Sequence, residues 1–285
     1  MNTQSAADKH GLAAGLAPTR ADWTIDQGWK SYTAQEHATW KTLFERQTAL
    51  LPHLACREFV EGMRALPLSA DAIPEFAVLN EVLMPRTGWQ VVAVPGLVPD
   101  EVFFDHLANR RFPSGNFIRS ADQLDYLQEP DVFHDVFGHV PMLMHPVMAD
   151  FIQLYGEAGL RAQRIGKLTE LARVYWYTVE FGLVKEQVQG ESGAHEALRI
   201  YGAGTASSFT ESGFALQSAS PHRIGVDLER VMRTRYRIDD FQECYFVLNS
   251  GPTFGPGDVL AGDKVFQRGD GAYARSRMLA SACVE

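Results

Sequence analysis

The sequence predicts a mainly α-helical domain with small β elements, an α+β fold, on three observations. Apolar residues recur at helical spacing through much of the chain. Runs rich in β-formers are few and short. Alternating β and α units are absent, and so is G-x-G-x-x-G, which argues against a dinucleotide-binding fold.

Taken in order, residues 1–20 are small and polar without periodicity and read as a disordered leader, with order expected from about Trp23. Residues 34–66 read as two helices, one carrying Trp40, Leu43 and Phe44, the other Phe59, Val60 and Met63. Pro52 fits the first turn of the second, where no backbone donor is needed. A third helix is expected over 73–83, stopped by Pro85 and Gly88. Residues 89–94 form a strand closed by Pro95-Gly96. Helix follows over 101–110 and a brief strand over 117–119. Pro130 opens a helix, residues 146–160 and 168–183 form two more, and 245–248 are strand-like. No repeat or linker interrupts the chain, so one catalytic domain is expected over 21–285, although the stretch from Gly251 onward carries no motif.

A net charge of −9 gives no general attraction to nucleic acid or anionic lipid, and no Lys/Arg cluster overrules it. No apolar stretch approaches the roughly 20 residues a membrane helix needs. Cys56, Cys244 and Cys283 lie far apart, which fits reduced thiols in a cytoplasmic protein better than a disulfide framework or a Cys-based zinc site.

Potential metal ligands crowd into one stretch, where His134, His139 and His145 fall among apolar residues with Asp131 and Asp135. Buried imidazoles and carboxylates need partners, and a metal is one such partner. His134 and His139 are five apart, so this is not H-E-x-x-H. On a regular α-helix they would point about 140° away from each other. They share a metal only if the helix ends or bulges between them, and Gly138 with Pro141 supplies the means. Alone, the pair equally describes two hydrogen-bonded histidines at a helix end. Glu180 is a second signal, one carboxylate among Tyr, Trp, Val and Phe, expensive to bury unless a cation meets it. Two histidines and a carboxylate suit non-haem Fe(II) and also catalytic zinc.

Three ordered motifs resemble the pterin-dependent aromatic amino acid hydroxylases. They are Glu129-Pro130-Asp131 with His134 and Gly138-His139-Val140-Pro141; Tyr-Trp-Tyr-Thr-Val-Glu-Phe-Gly-Leu at 175–183; and Tyr-Gly-Ala-Gly-x-x-Ser-Ser at 201–208. The similarity runs from about Trp23 to Asn249. The resemblance implies hydroxylation of L-phenylalanine to L-tyrosine with Fe(II), tetrahydropterin and dioxygen, the second oxygen atom leaving on the pterin. It implies His134, His139 and Glu180 as iron ligands. Toward the pterin it implies Phe103 stacked on the ring, the backbone of Gly96, Leu97 and Val98, Asp135 through water, and Tyr175 nearby. Toward the substrate it implies Arg119 on the carboxylate, Pro130 and Trp176 beside the ring, Ser207 in the carboxylate network and Val247 favouring phenylalanine over tyrosine. A bidentate guanidinium–carboxylate pair suits the Arg119 role.

Leu127 stands where animal members carry threonine, and their regulatory domain and assembly helix have no counterpart here. A monomer with small-molecule ligands only is therefore expected. The alternatives are tryptophan or tyrosine hydroxylation, a zinc hydrolase with the same ligands, and a non-catalytic binding protein.

Overall fold

A computed structural model describes residues 20–249 apart from 126–128, 191, 192 and 239. Nearly all of the expected leader, and everything from Ser250 on, lies outside the described residues. Among the described residues no helix is long and apolar enough to cross a membrane.

Helix α1 (Ala34–Leu54) opens with a capping box, the Glu36 N–H on Thr33 Oγ1 at 3.2 Å and the Thr33 N–H on Glu36 Oε2 at 2.7 Å. Its Trp40, Leu43, Gln47 and Leu51 share one buried face, as a 3.6-residue period requires. Pro52 lies inside α1, not at the head of the next helix. The chain turns at Ala55 and Cys56 instead, where both are extended and the Cys56 N–H donates to the Ile200 carbonyl at 2.8 Å. Helices α2 (Arg57–Ala65) and α3 (Phe76–Thr87) follow. Helix α3 begins three residues later than expected and runs through Pro85, because Gly88, left-handed at φ 75°, ends it.

Strand β1 (Gln90–Val94), helix α4 (Asp100–Ala108) and strand β2 (Arg111–Gly115) form one parallel β-α-β unit. So one such unit exists where none was expected: Pro113 and Gly115 hid β2 from any strand pattern. The expected strand at 117–119 does not form. The Arg119 N–H donates to the Asp131 carboxylate at 2.9 Å, where a ladder would place a carbonyl.

Residues Phe133–His139 wind as a π-helix and pass directly into α5 (Val140–Leu143). The long α6 (Pro146–Arg164) lies along α4. Helix α7 (Leu168–Tyr175) passes into a second π segment, Trp176–Glu180. The chain leaves helix there, short of the expected residue 183, because Leu183 already begins a strand.

The second sheet has the order β4-β3-β6-β5. Strands β3 (Leu183–Gly190) and β4 (Gly193–Ile200) form an antiparallel hairpin. Strand β6 (Cys244–Asn249) runs parallel to both β3 and β5 (His222–Gly225). The short helices α8 (Ala203–Ser207), α9 (Phe209–Gln217) and α10 (Leu228–Arg233) connect these strands. The α+β reading of the sequence therefore holds.

Candidate metal centre

The first π segment has two unlike faces. On one, Phe133 and Phe137 are fully buried, their rings stacked at 4.7 Å, with Trp40 edge-on to Phe133 at 5.3 Å and Phe44 edge-on to Phe137 at 5.6 Å. That packing anchors the segment on α1, each ring contributing about 1.5–3 kcal/mol by burial. On the other face, His134 and His139 converge. A π-helix closes each hydrogen-bonded ring five residues apart, so i and i+5 come onto one face. The anticipated bulge is thus present, but as a widened turn. Gly138 serves it by close approach, since a Cβ there would sit 2.8 Å from the Ala203 carbonyl oxygen of α8. The second segment ends on Glu180, its i+5 winding marked by the Phe181 N–H donating to the Trp176 carbonyl at 2.9 Å.

Three donor groups meet between these segments. His134 Nε2 and His139 Nε2 are 3.1 Å apart, His134 Nε2 is 3.5 Å from Glu180 Oε2, and His139 Nε2 is 3.2 Å from Glu180 Oε1. Candidate ligand atoms of all three lie within 4.8 Å of one another. Neighbours set the tautomer of His134. The Ser207 hydroxyl donates to the Ala203 carbonyl at 2.8 Å, so its oxygen accepts from His134 Nδ1–H at 3.0 Å and Nε2 is left bare. Burial pushes the His134 pKa down to about 4, keeping the ring neutral. For Glu180, burial would raise the pKa, but the two imidazoles and the Gly204 N–H hold it below the usual value. The bare Nε2 of His134, the Nε2 of His139 and the Glu180 carboxylate thus converge within 3.5 Å of one another, two imidazoles and a carboxylate of the kind that ligate a divalent ion. The donor set therefore fits a divalent metal. His145, just ahead of α6, is not part of this cluster.

A cavity of about 510 Å³ opens onto His134 and Glu180. Arg119, Pro130, Trp176 and Ser207, all expected on the substrate side, line it. Arg119 is buried, and its Nε and Nη2 grip Asp131 at 2.8 and 2.9 Å. Burial opposes ionisation of Asp131, yet the guanidinium holds its pKa below the usual value. The bidentate edge expected to meet a ligand is thus already occupied, and Nη1 also donates to the Leu124 carbonyl at 3.4 Å, which leaves the remaining outer Nη protons. Asp131 also accepts from the His134 N–H at 3.0 Å, tying this ion pair to the first π segment.

The residues expected around a pterin lie apart from this cavity. Tyr175 lies nearly parallel to His139 at 6.1 Å, and Phe103 meets Tyr175 edge-on at 6.0 Å. Asp135 accepts from the Gly115 N–H at 2.9 Å, and burial pushes its carboxyl up to about 7. Gly96, Leu97 and Val98 follow the carboxyl end of β1, with Leu97 exposed and Gly96 against the Glu129 carboxylate. Val247 is not on the cavity wall: it is buried in β6, in register with Leu183 and Gly225. The sequence reading missed Glu211, Phe241 and Gln242, which line the cavity. None stands in a recognisable motif, and Glu211 alone, a carboxylate within an otherwise uncharged helix, carried a signal comparable to that of Glu180.

Residues 28–253 match the family described as biopterin-dependent aromatic amino acid hydroxylase. The chain is 57% identical over 286 residues to phenylalanine-4-hydroxylase of Caulobacter vibrioides, covering 93% of this chain and 95% of that protein. It is 50% identical to phenylalanine-4-hydroxylase of Chromobacterium violaceum, covering 90% and 91%. Solved structures of phenylalanine hydroxylase from Chromobacterium violaceum are similar in fold. One, bound to iron and phenylalanine, has a TM-score of 0.75 at 53% identity and covers 83% of each chain. Another, with iron(III) and 7,8-dihydrobiopterin, has a TM-score of 0.76 at 56% identity, covering 82% of this chain and 83% of that one.

Proposed function

The chain belongs to the biopterin-dependent aromatic amino acid hydroxylases, and from that premise we propose that it converts L-phenylalanine to L-tyrosine with iron, a tetrahydropterin and dioxygen. The observation that carries this reading is the meeting of His134, His139 and Glu180 at a cavity that also presents Arg119 and Trp176. His134, His139 and Glu180 hold the iron, two neutral imidazoles and one carboxylate leaving one net positive charge on a divalent ion. Bound together, iron and pterin supply the reductive activation of dioxygen, one oxygen atom entering the substrate ring and the other leaving on the pterin.

The protein's own part is placement. Arg119 offers its outer Nη protons to the substrate carboxylate, while Asp131 holds the guanidinium plane fixed. Pro130 and Trp176 flank the phenyl ring, and Ser207 sets the His134 tautomer beside the carboxylate. On the far side of His139, Phe103 and Tyr175 offer an aromatic surface to the pterin, with Asp135 and the Gly96–Val98 backbone as its polar partners. Val247 acts on selectivity through the packing of β6, since it does not face the cavity. The protein is read as a cytoplasmic monomer. Free thiols at Cys56 and Cys244 support the compartment, and sedimentation at 31.7 kDa tests the oligomeric state.

The test is anaerobic loading with Fe(II), followed by phenylalanine, tetrahydropterin and oxygen, with tyrosine measured. Glu180→Ala is expected to abolish tyrosine formation while far-ultraviolet circular dichroism stays unchanged. Recovery of turnover by zinc but not by iron, or a preference for tryptophan or tyrosine as substrate, overturns the reading.

A further inference from the structure

Trp176 reaches the cavity with its indole held on three sides. Nε1–H donates to Gln242 Oε1 at 2.8 Å. Tyr236 lies against the ring at a centroid distance of 4.2 Å with planes 13° apart, and Phe181 meets it at 4.8 Å and 38°. Stacking alone does not fix such a ring, because the torsion that swings it is broad and roughly two-fold. A ring that slides on Tyr236 or flips over it keeps its stacking area. The hydrogen bond to Gln242 selects one pose.

Gln242 is itself held at both polar side-chain atoms and at its backbone N–H. It is 4% exposed. Its Nε2 donates to the carbonyls of Arg237 and Asp240 at 3.0 and 3.4 Å, so the amide oxygen must face the indole. Its backbone N–H donates to Glu211 Oε1 at 3.4 Å, and the Tyr245 hydroxyl donates to the same oxygen. Glu211 is buried in α9, and Tyr245 lies in β6 at 0% exposure. The bracket on the indole is therefore bolted to a helix and a strand of the core. A fully satisfied buried polar network of this kind rigidifies what it touches. Trp176, Glu211 and Gln242 all line the cavity that also receives His134, Glu180 and Arg119.

Resting on the reading of Trp176 as a wall for the substrate ring, we propose that Gln242 is a specificity-determining positioning residue. It holds Trp176 Nε1–H and so sets the shape of the slot that admits a phenyl ring. Glu211 and Tyr245 hold Gln242 in turn. An apolar slot discriminates by fit alone, and a misfit of about one methylene is worth roughly 10- to 200-fold in selectivity. Losing the pose of Trp176 therefore costs selectivity before it costs chemistry at the metal.

The experiment is a double-substitution cycle on the iron-loaded full chain. Selectivity is read as the ratio of kcat/KM for phenylalanine to that for tryptophan, with iron content and melting temperature as controls. Gln242→Leu is expected to lower this ratio about tenfold, mainly through KM for phenylalanine, and to shift the Trp176 indole ¹⁵N–¹H resonance. Gln242→Glu keeps an acceptor for the indole but turns a carboxylate oxygen on the Arg237 and Asp240 carbonyls, so it is expected to recover only part of the selectivity lost in the Leu variant. Trp176→Phe keeps an aromatic face but has no N–H. In that background Gln242→Leu is expected to cost less than about twofold, because the two residues act as one unit. If the Leu variant does not fold, Gln242→Met, of similar shape, runs through the same cycle. An equal loss from Gln242→Leu in both backgrounds, or an unmoved indole resonance, overturns the proposal while leaving the function standing. A wild-type protein that makes no tyrosine overturns the function itself, and the proposal with it.

Discussion

Each ring nitrogen of His134 has a task set by a neighbour. Ser207 takes Nδ1–H, so Nε2 faces Glu180 and His139 without a proton. Partners of this sort are worth about 10- to 100-fold in metal affinity, so Ser207→Ala is expected to weaken Fe(II) or Co(II) binding by that factor with the fold intact. Titration of the metal-free protein checks it; unchanged affinity would mean that Ser207 does not set the tautomer. The same residues predict the pH response of the metal-free protein. His134 titrates at about 4 when folded against 6.5 when unfolded. Its contribution to stability is full above about pH 6.5 and is lost as pH falls toward 4. Asp135 runs the other way. Burial lifts it from 3.8 to about 7, so its contribution is full below about pH 4 and is lost as pH rises through 7. Between pH 4 and 6.5 the two slopes oppose each other, and urea midpoints of the wild type are expected to be nearly flat. Asp135→Asn is expected to expose a fall on acidification and His134→Gln a rise. The same slope in both variants would contradict the assignment.

At the scale of elements, the legible parts were those whose pattern is local. The apolar faces of α1, α4 and α6, the β1 and β6 runs and the crowding of His134 and His139 all lie within one segment, where period and composition act directly. What stayed hidden depends on the partner. Strand β2 carries Pro113 and exists because β1 offers it a parallel ladder, and the 117–119 strand fails because Asp131 takes its N–H. Pro52 and Pro85 lie in last turns, so each removes one i→i−4 hydrogen bond with little helix left beyond it to disrupt, and neither ended its helix. The π winding was legible as a need and not as a form: five-residue spacing demanded a distortion, and only the packing of Phe133 and Phe137 on α1 selected which one. That winding predicts a sensitive glycine. Gly138→Ala puts a methyl carbon 2.8 Å from the Ala203 carbonyl oxygen, so the segment and α8 must separate by a few tenths of an ångström. Overpacking of this kind costs about 1–3 kcal/mol. Because α8 also carries Ser207, the variant is expected to lose metal affinity as well as melting temperature. A loss of stability with full metal affinity would show that the π segment and α8 are independent.

Across the whole molecule, the site joins parts of the chain that sequence reading cannot bring together by spacing. Trp176 meets Gln242 66 residues on, His134 meets Ser207 across 73, and Glu180 closes on the two histidines from a separate helix. Family motifs supplied some of these links, but the Glu211–Gln242 wall of the cavity belongs to no motif and became visible only with the sheet in place. A centre assembled this way ties metal binding to global stability, because the unfolded chain has no such site. A metal that binds only the folded state stabilises it by RT ln(1 + [L]/Kd), about 2.7 kcal/mol at a hundredfold excess over Kd. For a chain of this size each kcal/mol moves the melting temperature by roughly 2–4 °C, so saturating Fe(II) under argon, or Co(II), is expected to raise it by about 5–10 °C. A chelator is expected to reverse the rise, and Glu180→Ala to abolish most of it, since the remaining two imidazoles come from one π segment and no longer bridge to the second. Calorimetric scans of both proteins, with and without metal, decide the matter. An equal rise in Glu180→Ala would mean that the ion is held within the first segment alone, and that the two π segments are not joined through the metal.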